Sequence, residues 1–343
     1  MKIAIANDMH LAAEALRRVI TSTGEHRVIW TARDGEEAIR LCTQQRPDLL
    51  MMDLMMPLID GIEATRIIMQ RTPCAILVVT ATPDDNSNRV FRAMGAGALD
   101  VTATPVLTGQ LDDGARLLAK IRTIGKLIRA DAANGRRRDV GPTSAAAPAP
   151  GSISQLVAIG ASTGGPLAVA RILTGLALPP TAAVVIIQHI DERFTDNFAL
   201  WLGTQTGSNV RTVDNGMALD APGIYIAKTN DHLLLDRHRH LHYSSDPAEY
   251  PYRPSVNVFF QSVAQHWHGD AIGVLLTGMG RDGADGLLAM KRAGNLTIAQ
   301  DQASAVYGMP RAAAEIGAAS LILPLDQIAA AVQSRLSGKL GSL

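Results

Sequence analysis

In two stretches of the chain, short apolar runs that stop at a polar or glycine residue alternate with amphipathic segments. In the first hundred residues the apolar runs are 2–6, 28–32, 49–52, 76–80 and 98–102, and the amphipathic ones 11–20, 36–44, 62–71 and 86–94. Turn residues separate them at Gly24, Asp34-Gly35, Pro47, Asp60-Gly61 and Gly95 to Gly97. This alternation predicts an α/β fold, a doubly wound parallel sheet whose ligands sit at the carboxyl ends of the strands. From Ile153 the alternation resumes, with strands expected at 155–160, 183–188, 271–277 and 296–300 and a strand-rich insertion at about 210–243. The second half is therefore expected to be a three-layer α/β/α domain with a mostly parallel sheet.

Between the two halves, Leu117, Leu118, Ile121, Ile124, Leu127 and Ile128 recur at helical spacing, followed by three arginines at 136–138 and a Pro/Ala/Ser/Gly-rich stretch to Ser152. The expected organisation is a first domain at 1–106, a linker helix and flexible tether at 107–152, and a second domain at 153–340. A chain of 343 residues is long enough for two such cores. Net charge is zero, from 32 basic and 32 acidic residues, and no recognition helix follows residue 153, so no nucleic-acid partner is expected. No apolar run reaches the roughly 18 residues of a membrane span, and Asp8 interrupts the start where a signal peptide would continue. A cytoplasmic protein without membrane insertion is expected. Cys42 and Cys74 lack a C-x-x-C partner and read as buried, reduced thiols.

In the first domain, Asn7 and Asp8 end the first strand, Asp53 the third and Thr80 the fourth. Parallel order brings these ends to one rim, where two carboxylates repel unless a hard cation such as Mg²⁺ lies between them. A Mg²⁺-backed carboxylate can accept a phosphoryl group, and a threonine hydroxyl can hydrogen-bond its oxygens; alternatively, the acids only cap the following helices. The segment MMDLMMPLIDG at 51–61 and the VVT ending at Thr80 resemble the response-regulator receiver family, whose fold is flavodoxin-like. The resemblance implies that Asp53 is phosphorylated, that Asp8, Asp53 and the Met55 carbonyl hold Mg²⁺, and that Thr80 is the switch hydroxyl. Three departures stand out: Asn7 replaces the first acid of the usual pair, Thr104 replaces the lysine before Pro105, and Val101 stands where an aromatic switch residue is common. Without that lysine the phosphorylated form loses an ion pair and should couple less strongly to a switch.

The second domain opens with GASTGG at 160–165, which puts Ser162 on a tight turn between a strand and a helix. A dinucleotide fingerprint would need glycine at Ser162, and a P-loop would need Gly-Lys-Ser/Thr where Pro166 follows; a purely structural turn stays open. The next strand delivers His189 at its end, as a base or as a packed or capping residue. A later strand runs into GMGRDGADG, where Asp282 is either a helix N-cap or an acid partner, with Asp285 its rival. Read jointly, Ser162 is the nucleophile, His189 its general base and Asp282 the carboxylate that orients the base. His238, His240 and His242 alternate along RHRHLHY, as a solvated hairpin or as a three-histidine metal site lacking a fourth ligand.

The order Ser, His, Asp differs from that of α/β-hydrolases. The set GASTGG, IIQHI, RPSV, LLTGMGRDG and VYGMP resembles the chemotaxis protein-glutamate methylesterase (CheB) family over nearly all of 153–335. The resemblance implies a triad of Ser162, His189 and Asp282, with Met279 and Thr163 at the oxyanion hole. It implies hydrolysis of glutamate γ-methyl esters, and deamidation of glutamines, on methyl-accepting chemoreceptors, without a cofactor for that chemistry. It also implies a two-component pathway in which a CheA-type histidine kinase phosphorylates the receiver and the receiver gates the esterase. The start NDM and the segment TPVLTG at 104–109 resemble a Wsp-type, surface-sensing branch of the family. The competing function is a non-catalytic receptor-binding adaptor with a degenerate receiver.

Overall fold

The computed structural model describes residues 1–80, 87–105, 114, 117–118, 120–122, 124–125, 153–190, 192–248, 250 and 252–338. The expected tether, with Leu127, Ile128 and the arginines at 136–138, lies outside them, as does 106–109 of TPVLTG. The chain divides into two units, Met1–Gly135 and Arg136–Leu343.

The first unit carries β1 (Lys2–Ala6), β2 (Arg27–Ala32), β3 (Leu49–Asp53), β4 (Ala75–Thr80) and β5 (Asp100–Ala103) in the parallel order β2-β1-β3-β4-β5. Helices α1 (His10–Thr21), α2 (Gly35–Gln44), α3 (Gly61–Arg71) and α4 (Ser87–Gly95) connect them. Two helix starts are written into the sequence. The Asp34 carboxylate accepts the Glu37 N–H at 2.7 Å, and that of Asp60 accepts the Ile62 and Glu63 N–H groups, so each side chain meets donors that a helix cannot satisfy by itself. Asp60 also takes the Arg89 guanidinium of α4 at 3.0 Å. Helical residues Leu117, Ile121 and Ile124 are buried in one cluster with Ile3, Ile5, Leu16, Leu49 and Leu77. These residues, read from spacing as part of a linker helix, thus belong to the core of the first unit: their apolar stripe is covered by α1 and the sheet. Cys42 and Cys74 are both free and buried, as expected.

The second unit begins β6 (Gln155–Ala161), α5 (Gly165–Thr174), β7 (Ala182–Gln188), α6 (Thr195–Thr206) and β8 (Val210–Thr212). It continues β9 (Met217–Ala218), β10 (Gly223–Ile226), β11 (His232–Leu235), β12 (His240–Ser244), α7 (Val256–His266) and β13 (Asp270–Leu275). The last elements are α8 (Ala284–Arg292), β14 (Leu296–Gln300), α9 (Met309–Glu315), β15 (Leu321–Leu323) and α10 (Leu325–Leu336). A parallel sheet runs β15-β14-β13-β6-β7-β10-β8, and β11-β12-β9 form a separate antiparallel sheet. The region expected as an insertion is therefore only partly one, because β8 and β10 extend the main sheet. Their short length hid this, and β15 escaped notice for the same reason.

β6 lies between β7 and β13, and the chain builds outward from it in both directions. Loops leaving β6, β7 and β13 at their carboxyl ends are consequently neighbours, at the switch point where such sheets bind ligands. Leu156, Val157 and Ile159 of β6 have no exposed surface, each burial stabilising the platform by roughly 1.5–3 kcal/mol. Among the described residues no helix is long and apolar enough to cross a membrane.

Candidate active site

Ser162 follows β6 directly. Its N–H donates to the Thr277 carbonyl at 3.0 Å, and its carbonyl accepts the Gly165 N–H at 2.8 Å, closing a tight turn into α5. Gly164, inside that turn, has φ +76°, a left-handed conformation that favours glycine. Gly278 is needed for a different reason: a Cβ there would lie 2.2 Å from the Met309 sulfur and 2.8 Å from the Ser162 Cβ. The backbone after β13 thus lies directly against the Ser162 turn.

His189 follows β7. Ala161 and Gln188 are register partners and the His189 N–H donates to the Ala161 carbonyl, so Ser162 and His189 occupy the next step of one parallel pair. The buried Gln188 side chain ties both loops down, its Nε2 donating to the carbonyls of Ser162 at 2.8 Å and His189 at 3.3 Å. The imidazole Nε2 lies 2.9 Å from Asp282 Oδ2, while Nδ1 is buried with no hydrogen-bond partner among the described residues. Among the described residues no hydrogen bond joins the Ser162 hydroxyl to the ring; in ligand-free sites such bonds are often long.

Asp282 precedes α8 but does not cap it, since Gly283 holds the N-cap position. It closes the start of α7 instead. Oδ1 accepts the Ser255 hydroxyl at 2.7 Å and the Asn257 N–H at 3.1 Å, and Oδ2 accepts the Val256 N–H at 2.7 Å. Burial alone would raise the Asp282 pKa, yet the hydrogen bond and charge of His189, with the Ser255 and Val256 bonds, hold it below the usual carboxylate value. The positive end of α7 favours the same anion. Asp285 is turned elsewhere, pairing with Arg281 at 3.1 Å on the exposed face of its own helix.

Ser162 is 9% exposed, and the side chains of His189 and Asp282 10% and 3%, so the three groups lie largely out of water. Thr163 and Met279 flank it. Among the described residues no acceptor takes the N–H of either, which leaves two donors beside Ser162. Thr277 knots the surrounding loops, its hydroxyl donating to the Thr163 carbonyl and accepting the Val306 N–H, both at 2.9 Å. Thr277→Val keeps the shape but strands both backbone groups. The second unit should lose about 1–3 kcal/mol, read as a lower Tm in a thermal melt; an unchanged Tm would show that the hydroxyl does not hold these loops.

Sequence reasoning missed four residues here. Gln188 left a trace, a polar side chain closing an apolar strand run, and Ser255 another, a serine opening an apolar helix. His232 is fully buried, its Nδ1 accepting the Ser255 N–H at 3.1 Å and its Nε2 facing the Pro247 carbonyl at 3.1 Å. Tyr252 stacks on His189. Neither of the last two has a local signature. Of the three alternating histidines, His240 and His242 lie on β12 and His238 in the turn before it, beside Arg237. No group of three potential metal ligands is found among the described residues.

In the first unit Asp53 ends β3, one register step from Asn7, and β4 brings Thr80 beside it. Burial pushes the Asp53 carboxyl above its usual value, the N–H groups of Met55 and Leu54 pull it down, and the charge of Asp8 pushes it up again. The Asn7 side-chain oxygen accepts the Met9 N–H at 2.9 Å. Thr80 is buried and its carbonyl accepts the Thr104 N–H, so Thr104 stands at the same rim. Val101 is buried in β5.

A phosphoacceptor-type rim on one unit and a serine, a histidine and an aspartate at the switch point of the other are the architecture of a response regulator with a hydrolase output. The CheB methylesterase family model matches residues 157–332, and the response regulator receiver domain model matches residues 3–123. The chain is 54% identical to protein-glutamate methylesterase/protein-glutamine glutaminase 4 of Burkholderia thailandensis over 333 residues, 96% of each chain. It is 51% identical to protein-glutamate methylesterase/protein-glutamine glutaminase 1 of Pseudomonas fluorescens over 332 residues, 96% of this chain and 97% of that one. The solved CheB methylesterase catalytic domain of Thermotoga maritima aligns at 31% identity and a TM-score of 0.47, over 53% of this chain and 96% of that one. The chain belongs to the CheB methylesterase family and carries a receiver domain.

Proposed function

We propose that this protein is a protein-glutamate methylesterase and protein-glutamine glutaminase acting on methyl-accepting chemoreceptors, with Ser162, His189 and Asp282 as its catalytic triad. The observation that carries the assignment of residues is the 2.9 Å contact with buried Asp282 made by His189, which follows the β7 partner of Ala161 as Ser162 follows Ala161 itself. With Nε2–H donated to Asp282, the lone pair of Nδ1 is left to take the Ser162 proton. Serine proteases assign the two ring nitrogens the other way round.

The Ser162 Oγ attacks the ester carbonyl as its proton passes to His189. The negative oxygen of the tetrahedral intermediate meets the N–H groups of Met279 and Thr163, where one such donor is worth about 2.7–4 kcal/mol. Collapse breaks the bond to the methoxy oxygen, which leaves as methanol with the proton from His189. Water, deprotonated by His189, then attacks the acyl-serine and releases the glutamate carboxylate and free Ser162. For a glutamine side chain, ammonia leaves in place of methanol.

The receiver oxygens suit a hard divalent cation, since Asp8 and Asp53 repel each other without one. Asp8, Asp53 and the Met55 carbonyl would hold Mg²⁺, which would neutralise that repulsion and the charge of the entering phosphoryl group. Asp53 is then the phosphoacceptor and Thr80 the hydroxyl that senses it, with a CheA-type histidine kinase as donor. A cytoplasmic site of action follows from this substrate and this donor. With Thr104 in place of a lysine, the expected gain in methanol release on adding a phosphodonor is about fivefold, the lower end of ordinary coupling. Asp53→Asn should abolish that gain, and an equal gain in Asp53→Asn would remove this aspartate from the pathway.

A further inference from the structure

Tyr252 lies in the segment entering α7, far in sequence from the β7 loop that it covers. Its ring stacks flat on the His189 imidazole, with centroids 4.7 Å apart and planes 6° apart. Its hydroxyl end reaches the loop carrying Met279, because a Cβ on Gly280 would lie 3.4 Å from the Tyr252 oxygen. Tyr252 is 38% exposed, whereas the His189 side chain on which it stacks is 10% exposed. The ring therefore roofs the imidazole from the solvent side.

Among the described residues Asp282 holds the imidazole at Nε2 and no hydrogen-bond partner meets Nδ1. One hydrogen bond leaves the ring free to rock about the axis through that contact, which would swing Nδ1 away from the nucleophile. A flat aromatic partner removes the freedom. It also offers the negative face of its π system to the imidazolium formed once the serine proton has moved, a cation–π contact within the roughly 6 Å at which such attraction is felt.

We propose that Tyr252 is a positioning residue for the ester hydrolysis, holding the plane of His189 and stabilising its protonated form. The proposal rests on the reading of His189 as general base. The test uses the full chain and methanol release from a methylated chemoreceptor, with kcat and KM measured separately. Tyr252→Ala and Tyr252→Leu should each lower kcat about tenfold, the equivalent of about 1.4 kcal/mol, with KM within about twofold, since the leucine restores bulk but not a π face. Tyr252→Phe keeps the face and should recover at least half of the loss. Because the residue is partly exposed, the variants should melt like the parent. An undiminished kcat in Tyr252→Ala, a loss confined to KM, or a phenylalanine variant as impaired as alanine would overturn the proposal. His189→Ala run alongside separates the two levels: if it retains the parent rate, the base assignment fails, and if it loses the rate while Tyr252→Ala does not, only the positioning role fails.

Discussion

Replacing Ser162 with alanine is expected to lower methanol release from a methylated chemoreceptor by about 10⁴- to 10⁶-fold. The substitution removes one oxygen from a turn otherwise held by main-chain bonds, to the Thr277 carbonyl, from the Gly165 N–H and from the Gln188 amide. Backbone, oxyanion donors and the His189–Asp282 pair should all survive, so the variant should fold normally and still capture receptor in a pull-down. What is lost is the covalent route. The remaining rate would reflect binding and the Met279 and Thr163 donors, which in other serine hydrolases leave about 10³- to 10⁴-fold over water. A receptor-binding adaptor predicts a different result: no methanol release from the parent, and receptor capture as the whole function.

Asp282→Asn carries the second large effect, because in the proposed triad this carboxylate serves chemistry as well as architecture. For chemistry, an amide facing Nε2 no longer stabilises the imidazolium and can invert the tautomer, a change that costs about 10⁴ in kcat in a comparable triad. For architecture, the Ser255 hydroxyl and the Val256 and Asn257 N–H groups all converge on Asp282, and an asparagine places donors where they need acceptors. A stability loss of about 2–4 kcal/mol is expected, within the range for a broken buried network. The pH dependence has a defined sign. The folded Asp282 pKa lies below the unfolded value of about 3.9, because the His189, Ser255 and Val256 contacts outweigh the burial that would raise it. Its contribution is therefore fully present above that unfolded value and is lost as pH falls through the depressed folded one. Below about pH 4 the Tm of the second unit should fall more steeply in the parent than in Asp282→Asn. Parallel curves would mean that the carboxylate charge does not stabilise the fold.

The strands legible in the sequence are those whose apolar run is continuous and bounded by turn residues: β1 and β14 match their expected bounds residue for residue. β8, β10 and β15, of three or four residues each, were missed as members of the main sheet because short edge segments carry too little pattern to declare a partner. The stripe of Leu117, Ile121 and Ile124 announced a helix, but what covers such a stripe is decided by tertiary packing, here the core of the receiver unit.

The site divides along the same line. Ser162, His189 and Asp282 could be named because each ends a strand or follows one closely, and parallel topology then gathers those ends. The N-cap role that Asp282 also suggested went to another helix: its carboxylate caps α7, not α8, which no local pattern could reveal. Tyr252, His232 and Gln188 reach the site through contacts with His189, Ser255 and Ser162, each distant from them in sequence. Gly278 likewise matters through close approach, and its motif could be quoted without the reason for its glycine being visible.

Comparing Ser162→Ala, His189→Ala and their double variant in the methanol-release assay tests the central claim, that separate loops form one proton-transferring unit. If they do, the first loss disables the unit and the second removes almost nothing more, so all three variants should fall to nearly the same residual rate. Losses that multiply, leaving the double variant slower than either single by the product of both factors, would mean that the serine and the histidine act independently.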